Sequence, residues 1–127
     1  MNIVDSSGWL EYFANGPNAP FFSPPLQNTA ELVVPAITLY EVFKTVLRQR
    51  NESDALQAVA LMMQGSVVDL TANISILAAK ISLEKKMPMA DSIILATARL
   101  YHATVWTQDS DFAEIDGVQY IPKKPGA

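Results

Sequence analysis

The sequence has no cysteine and a single histidine, His102. Without thiols it can build neither a disulfide framework nor a thiolate metal site, so any metal must be held by oxygen. The same lack fits a reducing cytoplasm, the expected location. Long apolar runs are also missing. The longest, around residues 74–83 and 93–100, are interrupted by Lys80 and Arg99, whereas a membrane span needs about 20 mostly apolar residues. A signal peptide is not expected either, because the first residues lack a basic start and Asp5 and Glu11 break the apolar stretch. There is no P-loop and no GxGxxG, which excludes nucleotide binding in those modes. Basic residues are in the minority, 9 against 13 acids for a net charge of −4. That balance argues against a broad phosphate-binding surface. It changes if some acids serve a cation: without the four singled out below, the remainder is neutral.

Half of the 127 residues are apolar and 17% are charged, enough for one buried core and too few polar residues for disorder. Short β-branched runs at residues 1–4, 32–34, 66–70, 103–106 and 118–121 read as buried strands. Between them lie helical patterns. Ser6 or Ser7 can cap a helix through Phe13, and the proline-rich stretch after Asn15 leads into a short helix over 23–31. Residues 38–50 carry Leu39, Val42, Phe43, Val46 and Leu47 at the spacing of a buried stripe. Residues 52–63 form the next helix, closed by Gly65. Helices follow over 71–86 and 90–101, the first ending on Lys85 and Lys86, which suit its dipole. Strands alternating with helices imply an α/β fold: a central, mostly parallel sheet of four to five short strands with helices on both faces. One domain over 1–122 with a short flexible tail, 123–127, is expected.

In such sheets ligands bind beyond the carboxyl ends of the strands, and acids fall there. Asp5 closes the first strand, Asp109 follows the fourth in TQDSDF, Asp91 opens a helix in MPMADSIILATARL, and Glu41 lies near the start of a helix in TLYEVFK. Each has an ordinary structural use as a turn, cap or solvated residue. Asp111, with Glu114 three residues on, resembles a capping box, which favours Asp109 as the ligand and leaves Asp111 as its substitute. Carboxylates gathered at one point repel unless a cation sits among them. Mg²⁺ or Mn²⁺ suits an all-oxygen site, and two such ions about 4 Å apart can activate water and stabilise a leaving oxygen in phosphodiester cleavage.

Four stretches in order, IVDSSGWLEYF, TLYEVFKTVL, MADSIILATARL and TQDSDF, give the chain a resemblance to PIN-domain proteins, and more closely to the VapC-type toxins of bacterial toxin–antitoxin pairs. The likeness extends over essentially the whole chain. It implies a PIN-like single domain and a Mg²⁺- or Mn²⁺-dependent endoribonuclease whose acidic cluster maps onto Asp5, Glu41, Asp91 and Asp109, with Asp111 open as the fourth acid. It also implies that Ser7 and Thr107 orient the acids. A homodimer is implied, as is silencing by an antitoxin that covers or enters the site. Lys44 and Arg48, four apart on one helix face, are either a solvated face or a guide for an RNA backbone. Two other functions compete. One is a different Mg²⁺-dependent phosphate hydrolase, although the first strand offers Asp-Ser-Ser in place of Asp-x-Asp. The other is a catalytically silent binding module. Trp9, Phe13, Phe43 and Trp106 read as core, and His102 as a corner residue between helix and strand. FFSPPL, residues 21–26, would meet an antitoxin helix if exposed and lid the core if buried.

Overall fold

The chain, seen in a computed structural model, is described over residues 1–125. The last two residues of the expected tail lie outside that range. The apolar runs become parallel strands: β1 (Asn2–Val4), β2 (Val33–Pro35), β3 (Ser66–Val68), β4 (Thr104–Thr107) and β5 (Val118–Tyr120). One ladder runs β1-β4-β5, the other β2-β3. A single parallel bridge, Asn2 to Leu32, joins them at β1 and β2, giving the order β3-β2-β1-β4-β5. Register sets Ile3 opposite Val105 and Val105 opposite Val118.

Successive residues of a strand point to opposite faces, and the core divides accordingly. Ile3, Val33 and Val105 pack on one face with Ile74, Ala78 and Ile81 of α5 (Ala72–Lys85) and Ile94 of α6 (Met89–Leu100). Val4 and Val34 pack on the other with Trp9 of α1 (Ser6–Phe13), Phe22 and Leu26 of α2 (Ala19–Gln27), Val42 of α3 (Ala36–Gln49) and Met62 of α4 (Glu52–Met62). Helices thus cover both faces of a parallel sheet. The run Ser92–Ala98 of α6 is buried; it is apolar except for Ser92 and Thr97, whose hydroxyls donate to the carbonyls of Met89 and Ile93.

Several local expectations are corrected. The helix expected over 23–31 is α2, which starts at Ala19, followed by a separate 3₁₀ turn at Thr29–Glu31. Pro20 stands in its first turn, and Pro24 and Pro25 lie inside it at the cost of two backbone hydrogen bonds. Burial of Phe22, Pro25 and Leu26 outweighs that loss. Phe22 is fully buried and the Phe21 ring packs on Trp106, with centroids 5.2 Å apart, so FFSPPL lids the core. The third strand stops at Val68. Helix α3 begins two residues early because Pro35, in extended conformation, serves as its N-cap. Gly65 closes no helix in the left-handed conformation. A Cβ there would meet the Leu32 carbonyl at 2.9 Å, so it is needed for close approach to the chain entering β2.

Candidate metal centre

Asp5 leaves β1 in extended conformation and is itself the N-cap of α1; neither Ser6 nor Ser7 is. Its Oδ1 accepts from the Gly8 amide at 2.9 Å and from Ser7 Oγ at 2.8 Å, and its Oδ2 accepts from Thr107 Oγ1 at 2.6 Å. Gly8 is required for this turn: a Cβ would lie 2.5 Å from Val4 Cγ1 and 2.7 Å from Phe22. Asp5 is only 2% exposed. Burial raises its pKa to about 6 against the pull of these three donors, and the Asp109 charge adds to the rise.

Thr107 ends β4 and does double duty. Its hydroxyl donates to Asp5 and accepts from the Asp109 amide at 2.8 Å. One side chain therefore locks the ends of two adjacent parallel strands together and sets Asp109 at the sheet edge. Asp109 then caps the short 3₁₀ turn Ser110–Phe112, its Oδ1 accepting from the Asp111 amide at 2.9 Å. The capping box expected at Asp111 is thus replaced by a cap at Asp109, and Asp111 is left free to face the cluster.

Asp91 sits in the first turn of α6, where an acid suits the helix dipole. Carboxylate oxygens of Asp91, Asp109 and Asp111 all lie within 4.8 Å of one another. Burial first, then the charge of Asp109, then a shared proton with Asp111 and its charge, push the Asp91 pKa up to about 8, and Asp5 contributes a further repulsion. Among the described residues no lysine or arginine pairs with any of these acids; the ion pairs are Met1 with Glu31 and Arg50 with Asp54. Oxygen donors crowded with negative charge and left without a protein cation fit a small divalent ion such as Mg²⁺ or Mn²⁺.

Glu41 stands apart from the three. It is half-buried on α3, and its Oε1 accepts from Ser6 Oγ at 2.6 Å. Of the five acids singled out in the sequence, three, Asp91, Asp109 and Asp111, converge within 4.8 Å. Asp5 acts on them at short range, and Glu41 is tied to the residue that follows Asp5. Ser7 and Thr107 both donate to the Asp5 carboxylate. Ser6 is the orienting residue that sequence reasoning missed, because Ser6 and Ser7 look interchangeable until the helix fixes which way each points. Lys44 lies over the Tyr40 ring, 5.5 Å from its centroid, and Arg48 is exposed. His102 occupies a left-handed corner with φ 52° and stays exposed.

No helix among the described residues is long and apolar enough to cross a membrane. The fold matches that of several solved structures. A toxin–antitoxin complex from Klebsiella pneumoniae aligns with TM-score 0.76 and 22% identity, covering 94% of this chain and 96% of that one. VapC20 of Mycobacterium tuberculosis, described as a sarcin–ricin loop cleaving toxin, aligns with TM-score 0.75 and 17% identity over 91% and 95%. FitAcB from Neisseria gonorrhoeae aligns with TM-score 0.63 and 26% identity over 94% and 96%. No curated protein matches the sequence closely. Residues 3–118, nearly the whole chain, match the PIN domain, and the chain belongs to the PIN-domain family.

Proposed function

We propose that this protein is a Mg²⁺- or Mn²⁺-dependent endoribonuclease and the toxin half of a toxin–antitoxin pair, working in the cytoplasm as a homodimer. The observation that carries the nuclease reading is the meeting of Asp91, Asp109 and Asp111 within 4.8 Å beside the buried Asp5. The toxin reading is supported by the solved relatives, which include a toxin–antitoxin complex and a loop-cleaving toxin. A divalent ion bound there would supply Lewis acidity at the phosphate and activate water near neutral pH.

The chain's own residues have distinct tasks. Asp5 and Asp91 with Asp109 would hold the ion, Asp111 standing as the substitute or second acid on the 3₁₀ turn. Ser7, Gly8 and Thr107 keep the Asp5 carboxylate fixed in its buried position. Ser6 occupies Glu41 Oε1, leaving Oε2 to orient a water or accept its proton. Lys44 and Arg48 would guide the RNA backbone toward the acids. Hydrolysis joins a water oxygen to phosphorus and breaks the bond to the leaving ribose oxygen, which takes up a proton; no covalent enzyme intermediate is required. The test is titration of the purified chain with Mn²⁺ by calorimetry, beside Asp5→Asn. Tight binding that the substitution weakens at least tenfold is expected. An absence of binding would make the domain a silent module whose acids only cap and solubilise.

A further inference from the structure

Beside the acids lies a cleft of about 480 Å³ whose lining includes Ser7, Gln108, Asp109, Tyr120, Pro122 and Lys123. Its size suits a small polar ligand. Its walls are tied together from below. Asn18, only 1% exposed, donates through Nδ2 to Gln108 Oε1 at 2.9 Å and to the Pro122 carbonyl at 3.1 Å. Gln108 in turn donates to the Ser7 carbonyl at 3.5 Å, and the Ile121 amide donates to the Thr107 carbonyl at 3.1 Å. Asn18 Oδ1 is buried with no partner. A buried acceptor without a partner is costly, so Asn18 is held there by the two bonds its amide makes. Those bonds join the turn that carries Asp109 to the segment that carries Lys123. Pro122 and Lys123, just after β5, therefore form a wall of the site.

The chemistry of the lining selects an occupant. Lys123 is exposed and makes no ion pair among the described residues, so the cleft offers an anion a free ammonium. Tyr120 offers a half-buried ring with a π-face for a planar group. We propose that this cleft is the subsite for the nucleotide adjoining the scissile phosphate of a single-stranded RNA, with Lys123 on its phosphate and Tyr120 against its base. The assignment rests on the nuclease reading of the neighbouring acids and names where its substrate lies.

The test is fluorescence anisotropy of a labelled six-nucleotide single-stranded RNA with Ca²⁺ present, followed by steady-state cleavage with Mn²⁺. Lys123→Gln, an exposed position where folding is not at issue, should weaken binding about tenfold at low salt. It should also lower the slope of log Kd against log salt by about 0.7, the share of one phosphate on a single strand. Tyr120→Ala should weaken binding about tenfold and Tyr120→Phe should restore it, because a stacking platform needs the ring alone. Lys80→Gln on α5 should change neither affinity nor slope. In cleavage, Lys123→Gln should raise KM with kcat held. Wild-type affinity and salt slope in Lys123→Gln would overturn the assignment, as would unchanged RNA binding with weakened antitoxin binding, which would give the cleft to a protein partner. A wild type that cuts RNA with a KM indifferent to Lys123 fails the subsite alone. A wild type that binds RNA through Lys123 yet cuts nothing fails the nuclease reading alone.

Discussion

Removing the charge of Asp91 should stabilise the metal-free protein. The Asp91 pKa rises from 3.8 to about 8 in the folded chain, first through burial and then through Asp109 and Asp111. A group whose folded pKa lies above its unfolded value contributes stability that is complete below the unfolded pKa and is lost as pH rises through the folded one. The metal-free protein should therefore be most stable in mild acid and weaken steadily between about pH 4 and pH 8. At about 1.4 kcal/mol per pH unit the cost would approach about 6 kcal/mol in a dry site. Asp91 is only half-buried, and solvent screening reduces this to about 2 kcal/mol. For a chain of this length that is a shift of about 6–10 °C in Tm. Asp91→Asn should gain that much over the wild type at pH 8 in EDTA, and almost nothing at pH 4. With Mn²⁺ the order should reverse, because the wild type gains binding energy that the variant lacks. Thermal unfolding followed by circular dichroism at the two pH values measures all of this. A wild type whose Tm is flat from pH 4 to pH 8 in EDTA, or an Asp91→Asn no more stable at pH 8, would refute the reasoning.

Three further substitutions separate the supporting parts. Thr107→Val keeps the shape but takes a donor from buried Asp5 and an acceptor from the Asp109 amide; denaturant unfolding at pH 7 should show a loss of about 2 kcal/mol, and the Asp5 pKa should rise above about 6. Gly8→Ala forces a Cβ against Val4 and Phe22 and should cost about 1–3 kcal/mol in the same assay, with an unchanged midpoint showing that the turn yields. Ser6→Ala frees Glu41 Oε1; kcat should fall about tenfold or more while Mn²⁺-induced stabilisation persists, and equal loss of both would make Ser6 a folding residue.

Strand composition made the sheet legible. Pairs such as Ile3–Val4 and Val33–Val34 are apolar on both sides because both faces are covered, and that same pattern announces parallel pairing. It follows that acids placed directly after strands fall at one edge, which is how Asp5 and Asp109 could be found. Finer points depended on geometry that spacing does not carry. Asp109 and Asp111 stand two residues apart, and only the 3₁₀ turn between them makes Asp109 the cap, its Oδ1 accepting from the Asp111 amide. Ser6 and Ser7 are neighbours whose hydroxyls reach residues 35 and 2 positions away, a distinction no local pattern encodes. The helix expected from Ser23 starts four residues earlier, at Ala19, and keeps Pro24 and Pro25 in its interior, because burial of Phe22, Pro25 and Leu26 decides its extent. The tie that fixes Pro122, just before Lys123, comes from Asn18, 104 residues away, and no local pattern encodes it.

The central claim is tested most directly by incubating the purified chain with a pool of labelled RNAs and Mn²⁺, again with EDTA, and again as Asp91→Asn. Discrete cleavage that both chelation and the substitution abolish is the predicted result. Cleavage that survives EDTA and Asp91→Asn alike would contradict it, since the acids meeting at 4.8 Å would then have no part in the chemistry.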